Sequence, residues 1–207
     1  MIKAFYIIGR TIALWWREFI LLTFFNLAWL ALQVPIVTGP PATAAMYALA
    51  RRVVDAEWIG PLDGWLALRQ MFLPAWKWGA VNLVIGIVLV VNLLAYWEAP
   101  GLGWMILRLL WGTIALVWFA INLFYWPFWL VQSDRRMMTT ARNSLLLLVK
   151  RPAFGLTLAV ISVCLVVVSL LTALPLVAVL MSWLGLIGVL AVDEELKRVN
   201  TTTLSQL

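Results

Sequence analysis

Forty consecutive residues, 153–192, carry no charged side chain. As one helix they would reach about 60 Å, nearly twice the roughly 30 Å of a bilayer's hydrocarbon. A soluble core has no use for so long a run, whereas lipid solvates its outward faces. Pro175 interrupts it, so the run reads as two helices with a turn near 172–175. Three more uncharged runs have spanning length: 20–37, 78–97 and 109–131, the last extended backwards through 104–107 with Arg108 embedded. Residues are 65% hydrophobic and 12% charged, against roughly a quarter charged in soluble domains, which excludes a soluble globular protein.

The fold expected is all-α: a polytopic membrane helical bundle of about five full spans plus a re-entrant or half-length helix after the first span, with interfacial amphipathic helices. It forms a single integral membrane domain over 1–207. Within it, 1–17 is an interfacial helix with Lys3, Arg10 and Arg17 as its basic stripe, and 18–51 is the first span plus an elbow. Residues 78–97 and 104–131 are spans, 132–152 is a cytoplasmic amphipathic helix, 153–192 holds two spans, and 193–207 is a polar, frayed tail. The connector 53–77 reads as short helices at the interface. With 42–50 leading back inside after the elbow, fourteen of the fifteen Lys and Arg fall on one side. A single crossing there leaves eleven, so the positive-inside tendency favours the elbow and puts both termini in the cytoplasm. Charges at Lys3, Arg10, Arg17 and Glu18 argue against a cleaved signal peptide.

Zero His and one Cys leave no usual ligand set for zinc, haem or iron–sulfur centres, and no cofactor is expected. No Ser-His-Asp arrangement, phosphate-binding loop or intramembrane carboxylate pair occurs, so an enzyme is not expected. Charge-coupled transport is disfavoured for the same want of buried ionisable groups. The net charge of +6 is spread between the apolar runs, which fits anionic lipid headgroups and not nucleic acid. Cys164 is expected to be an inert apolar residue.

Two stretches are candidate sites. In the elbow, Thr38, Gly39, Pro40 and Pro41 begin a half-helix whose N-terminal amides favour an anion or an acceptor group, with Thr43, Tyr47 and Asn26 in support. The simpler alternative is that these groups satisfy only the elbow's own backbone. On the third span, Trp104, Trp111, Trp118 and Tyr125 recur every seven residues beside Arg108 and Asn122, forming an aromatic and polar seam for packing or for a partner. A small-residue stripe, Gly155, Ala159, Ser162, Ser169 and Ala173, is the expected receiving surface. Trp15, Trp16, Trp58, Trp76, Trp78, Trp97, Trp126, Trp129 and Trp183 lie near run ends and are expected to anchor at headgroups. The intramembrane amides, Asn82, Asn92 and Asn122 among them, are expected to bond between helices. Glu98 is the candidate ion-pair partner of Arg108.

The residues Asn26-Leu-Ala-Trp-Leu, Pro35-Ile-Val-Thr-Gly and Pro41-Ala-Thr-Ala-Ala-Met-Tyr47, with Arg142-Asn-Ser-Leu further on, resemble the signature of the YesL-like family of uncharacterised bacterial membrane proteins. The resemblance implies a plasma-membrane protein, often encoded beside carbohydrate-utilisation and sugar-importer genes, without an established activity. The resulting expectation is a non-enzymatic accessory or structural subunit of a larger membrane assembly, linked by resemblance to sugar import. Its partners are membrane lipids and other membrane subunits, and the sequence defines no small-molecule ligand. The alternative is a small solute transporter or channel.

Overall fold

A computed structural model of the chain describes residues 2–95 and 97–204, the side chains of 202–204 excepted. Among these residues there are nine helices and no strand: α1 (Ile2–Arg17), α2 (Phe19–Gln33), α3 (Gly39–Val54), α4 (Pro61–Ala95), α5 (Leu102–Val131), α6 (Met137–Lys150), α7 (Pro152–Thr172), α8 (Leu174–Ala178) and α9 (Leu180–Leu204). The protein is an all-α helical bundle. Of the described helices, α4, α5 and α7 are long and apolar enough to cross a membrane. α2 is apolar but has only 15 residues, about 22 Å, and the apolar part of α9 stops at Val192.

α4 corrects the expectation of short interfacial helices over 53–77. It is one helix of 35 residues with Pro74 inside it, about 52 Å long. Pro61 suits its first turn because the missing N–H has no intrahelical partner there. Asp63 accepts the N–H of Gly60 at 2.7 Å and pairs with Arg52, so the charged start is fastened to the end of α3. Pro74 removes one ladder bond without ending the helix, which is tolerated where neighbouring helices enclose the backbone.

The helix expected over 42–50 is longer, spanning all of Gly39–Val54, and it lies at the centre of the bundle. α3 packs against α4, α9 and α2 and buries Ala42, Ala44, Ala45, Met46, Tyr47, Leu49, Ala50 and Val53. Its alanines admit close neighbours, and α9 answers with glycines. A methyl added to Gly188 would lie 2.5 Å from the carbonyl oxygen of Leu123 and 3.1 Å from the Tyr47 ring.

The long C-terminal run divides at Ala173, which takes a left-handed φ of 58° between α7 and α8. Asn26 fills the break between α8 and α9. It donates to the carbonyls of Leu176 and Val177 and accepts the N–H of Met181. Beyond Val192 the expected frayed tail is helical through Leu204, and only 205–207 lie outside the described residues. The cause is ionic. Asp193 pairs with Arg51, Glu194 with Lys3, and Glu195 with Arg151 at 3.3 Å and Arg198 at 2.7 Å.

α1 is more than an interfacial helix. Ala4, Ile7, Thr11 and Trp15 are buried where it runs antiparallel along α9, with Lys3 beside Glu194 and the Trp15 ring 6.3 Å from that of Trp183. Ile2, Phe5, Ile12 and Trp16 remain exposed on a second face. α6 buries Thr140, Ser144, Leu147 and Leu148 against α5 and α7. Gly155, Ala159, Ser162 and Ser169 are buried along α7, while Cys164 is exposed on it.

Candidate functional site

α4 and α5 each carry a Trp followed four residues later by an Asn: Trp78 and Asn82 on one, Trp118 and Asn122 on the other. Four residues is about one turn, so each pair shares a helix face. The antiparallel hairpin brings the two faces together as a reciprocal lock. Trp78 Nε1 donates to Asn122 Oδ1 at 2.9 Å, and Trp118 Nε1 donates to Asn82 Oδ1 at 3.0 Å. Each amide turns its Nδ2 back to the carbonyl of its own helix's Trp, at 3.1 Å for Asn82 and 2.9 Å for Asn122. The Trp78 ring stacks on Tyr125, with centroids 3.9 Å apart and planes at 4°, and lies 5.4 Å from Trp118.

The seam expected on α5 therefore divides. Trp118, Asn122 and Tyr125 engage Trp78 and Asn82 on α4, while α5 also packs on α7. Trp111 is half-buried and Trp104 is exposed further out. Arg108 does not pair with Glu98 among the described residues; its Nη1 donates to the carbonyl of Trp97. α4 ends at Ala95, so the carbonyls that follow have no intrahelical donor, and the guanidinium satisfies one of them. The anchoring role is also corrected for several indoles: Trp15, Trp78, Trp126 and Trp129 are buried, while Trp16, Trp58 and Trp97 are exposed.

The elbow is built from its own hydrogen bonds. Ile36 takes a left-handed φ of 58°, a costly conformation for a β-branched residue, and the N–H of Ile36 reaches Gln33 O while that of Gly39 reaches Ile36 O. The N–H of Ala42 donates to Thr38 O, and Pro40 and Pro41 have no N–H. No amide in the first turn of α3 is left for an anion, which overturns that part of the elbow expectation. Thr38 Oγ1 donates to Leu32 O at 2.6 Å and so caps α2. Trp29 Nε1 donates to Thr43 Oγ1, and Trp76 Nε1 donates to Val37 O at 2.8 Å.

Between elbow and hairpin lies a cavity of about 470 Å³. Gly39, Pro40 and Thr43 form the elbow wall, Trp76, Trp78 and Asn82 the α4 wall, and Asn122 and Trp126 the α5 wall, with Gln33 at the end of α2. Pro40 approaches so closely that a methyl on Gly79 would lie 3.1 Å from its ring. Thr38, Pro41, Tyr47 and Asn26 are not in the lining; Tyr47 is buried beside α9, and Asn26 serves the α8–α9 break. Sequence reasoning missed Gln33, Trp76, Trp78 and Trp126. The readable signal was the Trp-x-x-x-Asn spacing shared by two consecutive helices.

The lining side chains contain no acid or base. Each Asn carboxamide keeps a second N–H and unused lone pairs after its bonds in the lock, and the indole faces offer stacking surface. The wall thus suits an uncharged group with both polar edges and a flat or apolar face.

Residues 22–93 match the model of a family described as "Protein of unknown function, DUF624". The match covers the elbow, α3 and most of α4, hence two of the three walls. No curated protein and no solved structure matches the chain.

Proposed function

We propose, from the match of residues 22–93 to the DUF624 family model and from the resemblance of the chain to the YesL-like family, that the protein is a non-enzymatic accessory or structural subunit of a larger membrane assembly. By family resemblance that assembly is a sugar-import system in the bacterial plasma membrane. The carrying observation is how little of the outer α4–α5 hairpin the chain itself covers. Leu83, Ile87, Val90 and Leu94 on α4 are exposed, as are Met105, Ile106, Leu109 and Leu110 on α5. Gly86 and Gly112 lie beside these faces, and a methyl on either would meet no atom of the described residues within 4 Å. Glycine on a lipid-facing helix lets a partner helix approach closely, which is how association is gained in hydrocarbon.

Both termini are assigned to the cytoplasm. In support, Lys3–Glu194, Arg51–Asp193 and Arg151–Glu195 gather α1, the end of α3, the α6–α7 junction and the charged part of α9 at one end of the bundle. Single cysteines at Asp63 and Met138 in a Cys164→Ser background should both resist an impermeant thiol reagent in intact cells. Labelling at the first alone defeats the assignment.

Purification in mild detergent with mass spectrometry tests the subunit reading. A membrane chain should co-purify in fixed ratio and be lost on Gly86→Leu with Gly112→Leu, changes that the open space accommodates. A second reading, a solute transporter or channel, is favoured by the cavity beside a broken backbone, an arrangement transporters use for sites. Uptake by the purified protein alone in liposomes would replace the first reading with the second.

A further inference from the structure

A second cavity, about 360 Å³, lies at the charged end of the hairpin, where Pro74, Lys77, Tyr125, Trp129, Arg135 and Arg136 line it. We propose that it binds the phosphate group of an anionic phospholipid in the cytoplasmic leaflet; the assignment rests on the membrane placement given above.

Three cations line this space, and no carboxylate does. Lys3, Arg51, Arg52, Arg151 and Arg198 are all engaged by acids, but among the described residues Lys77 and Arg135 form no ion pair. Among the described residues Arg136 pairs only with its neighbour Asp134, at 3.4 Å. Arg135 is fixed in place without being neutralised: its guanidinium lies 4.7 Å from the centre of the Trp129 ring, an attraction that leaves its N–H groups available. Buried Tyr125 and Trp129 give the pocket a rigid floor. A planar guanidinium donates two parallel bonds to phosphate oxygens, and the flexible lysine adds a point charge.

The surroundings favour a lipid over a free phosphate compound. Lys77 is the last charge before the uncharged stretch of α4, and Val84, Val88 and Val91 continue along its face of the helix at seven, eleven and fourteen residues on. All three are exposed. A headgroup at Lys77 would therefore have its acyl chain on this valine track. Basic pockets beside spanning helices are the usual form of such headgroup sites.

The test is native mass spectrometry of the delipidated protein titrated with phosphatidylglycerol, with phosphatidylcholine as the neutral comparison. Each basic side chain near the surface contributes about fivefold, so Lys77→Gln with Arg135→Gln should weaken binding roughly thirtyfold. Arg142→Gln with Lys197→Gln removes the same charge from exposed positions outside the pocket and should leave binding within about twofold. Lys77→Glu alone, at an exposed site with no acid partner, gives the same answer if the double variant does not fold. Equal binding by the pocket and control variants, equal binding of phosphatidylcholine, or release of the lipid by millimolar inorganic phosphate would each overturn the proposal. Extraction of the protein from membranes by alkaline carbonate would instead overturn the membrane placement on which it rests.

Discussion

Asn26 on α2 holds the start of α9: its Oδ1 accepts the backbone N–H of Met181 at 2.8 Å. The same amide donates to Leu176 and Val177 at 2.8 and 2.7 Å, so one fully buried side chain supplies both a donor and an acceptor to a backbone break that water does not reach. Asn26→Leu keeps the branched shape but orphans these groups, and should cost about 3 kcal/mol in equilibrium unfolding in micelles. Asn26→Asp keeps the acceptor but turns a carboxylate toward two carbonyls and should be no better. A loss below about 0.5 kcal/mol for both would mean that packing alone holds the break.

The Trp–Asn lock predicts coupling between two positions that do not bond directly to each other. Asn82→Leu and Asn122→Leu should each cost about 1 kcal/mol, in the range measured for interhelical bonds in membranes. Once one bond is gone the hairpin faces separate, so the double variant should cost less than the sum by at least about 0.5 kcal/mol. Strict additivity in the double-mutant cycle would show that the two bonds are independent.

Acid should loosen the charged end. Burial pushes the Glu195 carboxyl up, but the guanidiniums of Arg198 and Arg151 outweigh it and hold the group below its ordinary value. A depressed carboxyl contributes stability that is present above its unfolded value, about 4.3, and that is lost as pH falls through the folded one. Melting temperature should therefore drop more steeply below about pH 4.5 in the native protein than in Glu195→Gln, which should be less stable at pH 7 and flatter in acid. Parallel curves would remove Glu195 from this role.

The sequence carried the helical class and the membrane balance because both follow from the length of uncharged runs. It also located the elbow, since a Gly-Pro-Pro triplet can be little else. What it could not supply was partners. A seven-residue repeat on α5 says which residues share a face, not which helix that face meets, and the partner proved to be Trp78 and Asn82. Arg108 was assigned to Glu98 because that was the nearest acid in sequence, whereas a carbonyl left over at the end of α4 lay within reach. The charged stretch after Val192 looked frayed because its stabilising partners, Lys3, Arg51 and Arg151, lie 191, 142 and 44 residues away. Local propensity does not register pairings over such separations.

Those separations also set an order of assembly during synthesis. The acids that engage Lys3, Arg51 and Arg151 stand side by side at 193–195, in the last of the described helices to leave the ribosome. Until then Lys3 and Arg151 have no carboxylate from α9, and Arg51 has only Asp55, one turn on along its own helix end. In the folded protein the glycines of α9 lie against α3 and α5, and its acids engage these bases from the same helix. The closing helix is thus also the fastener, and a chain cut before residue 193 would lose all three of these long-range clasps at once.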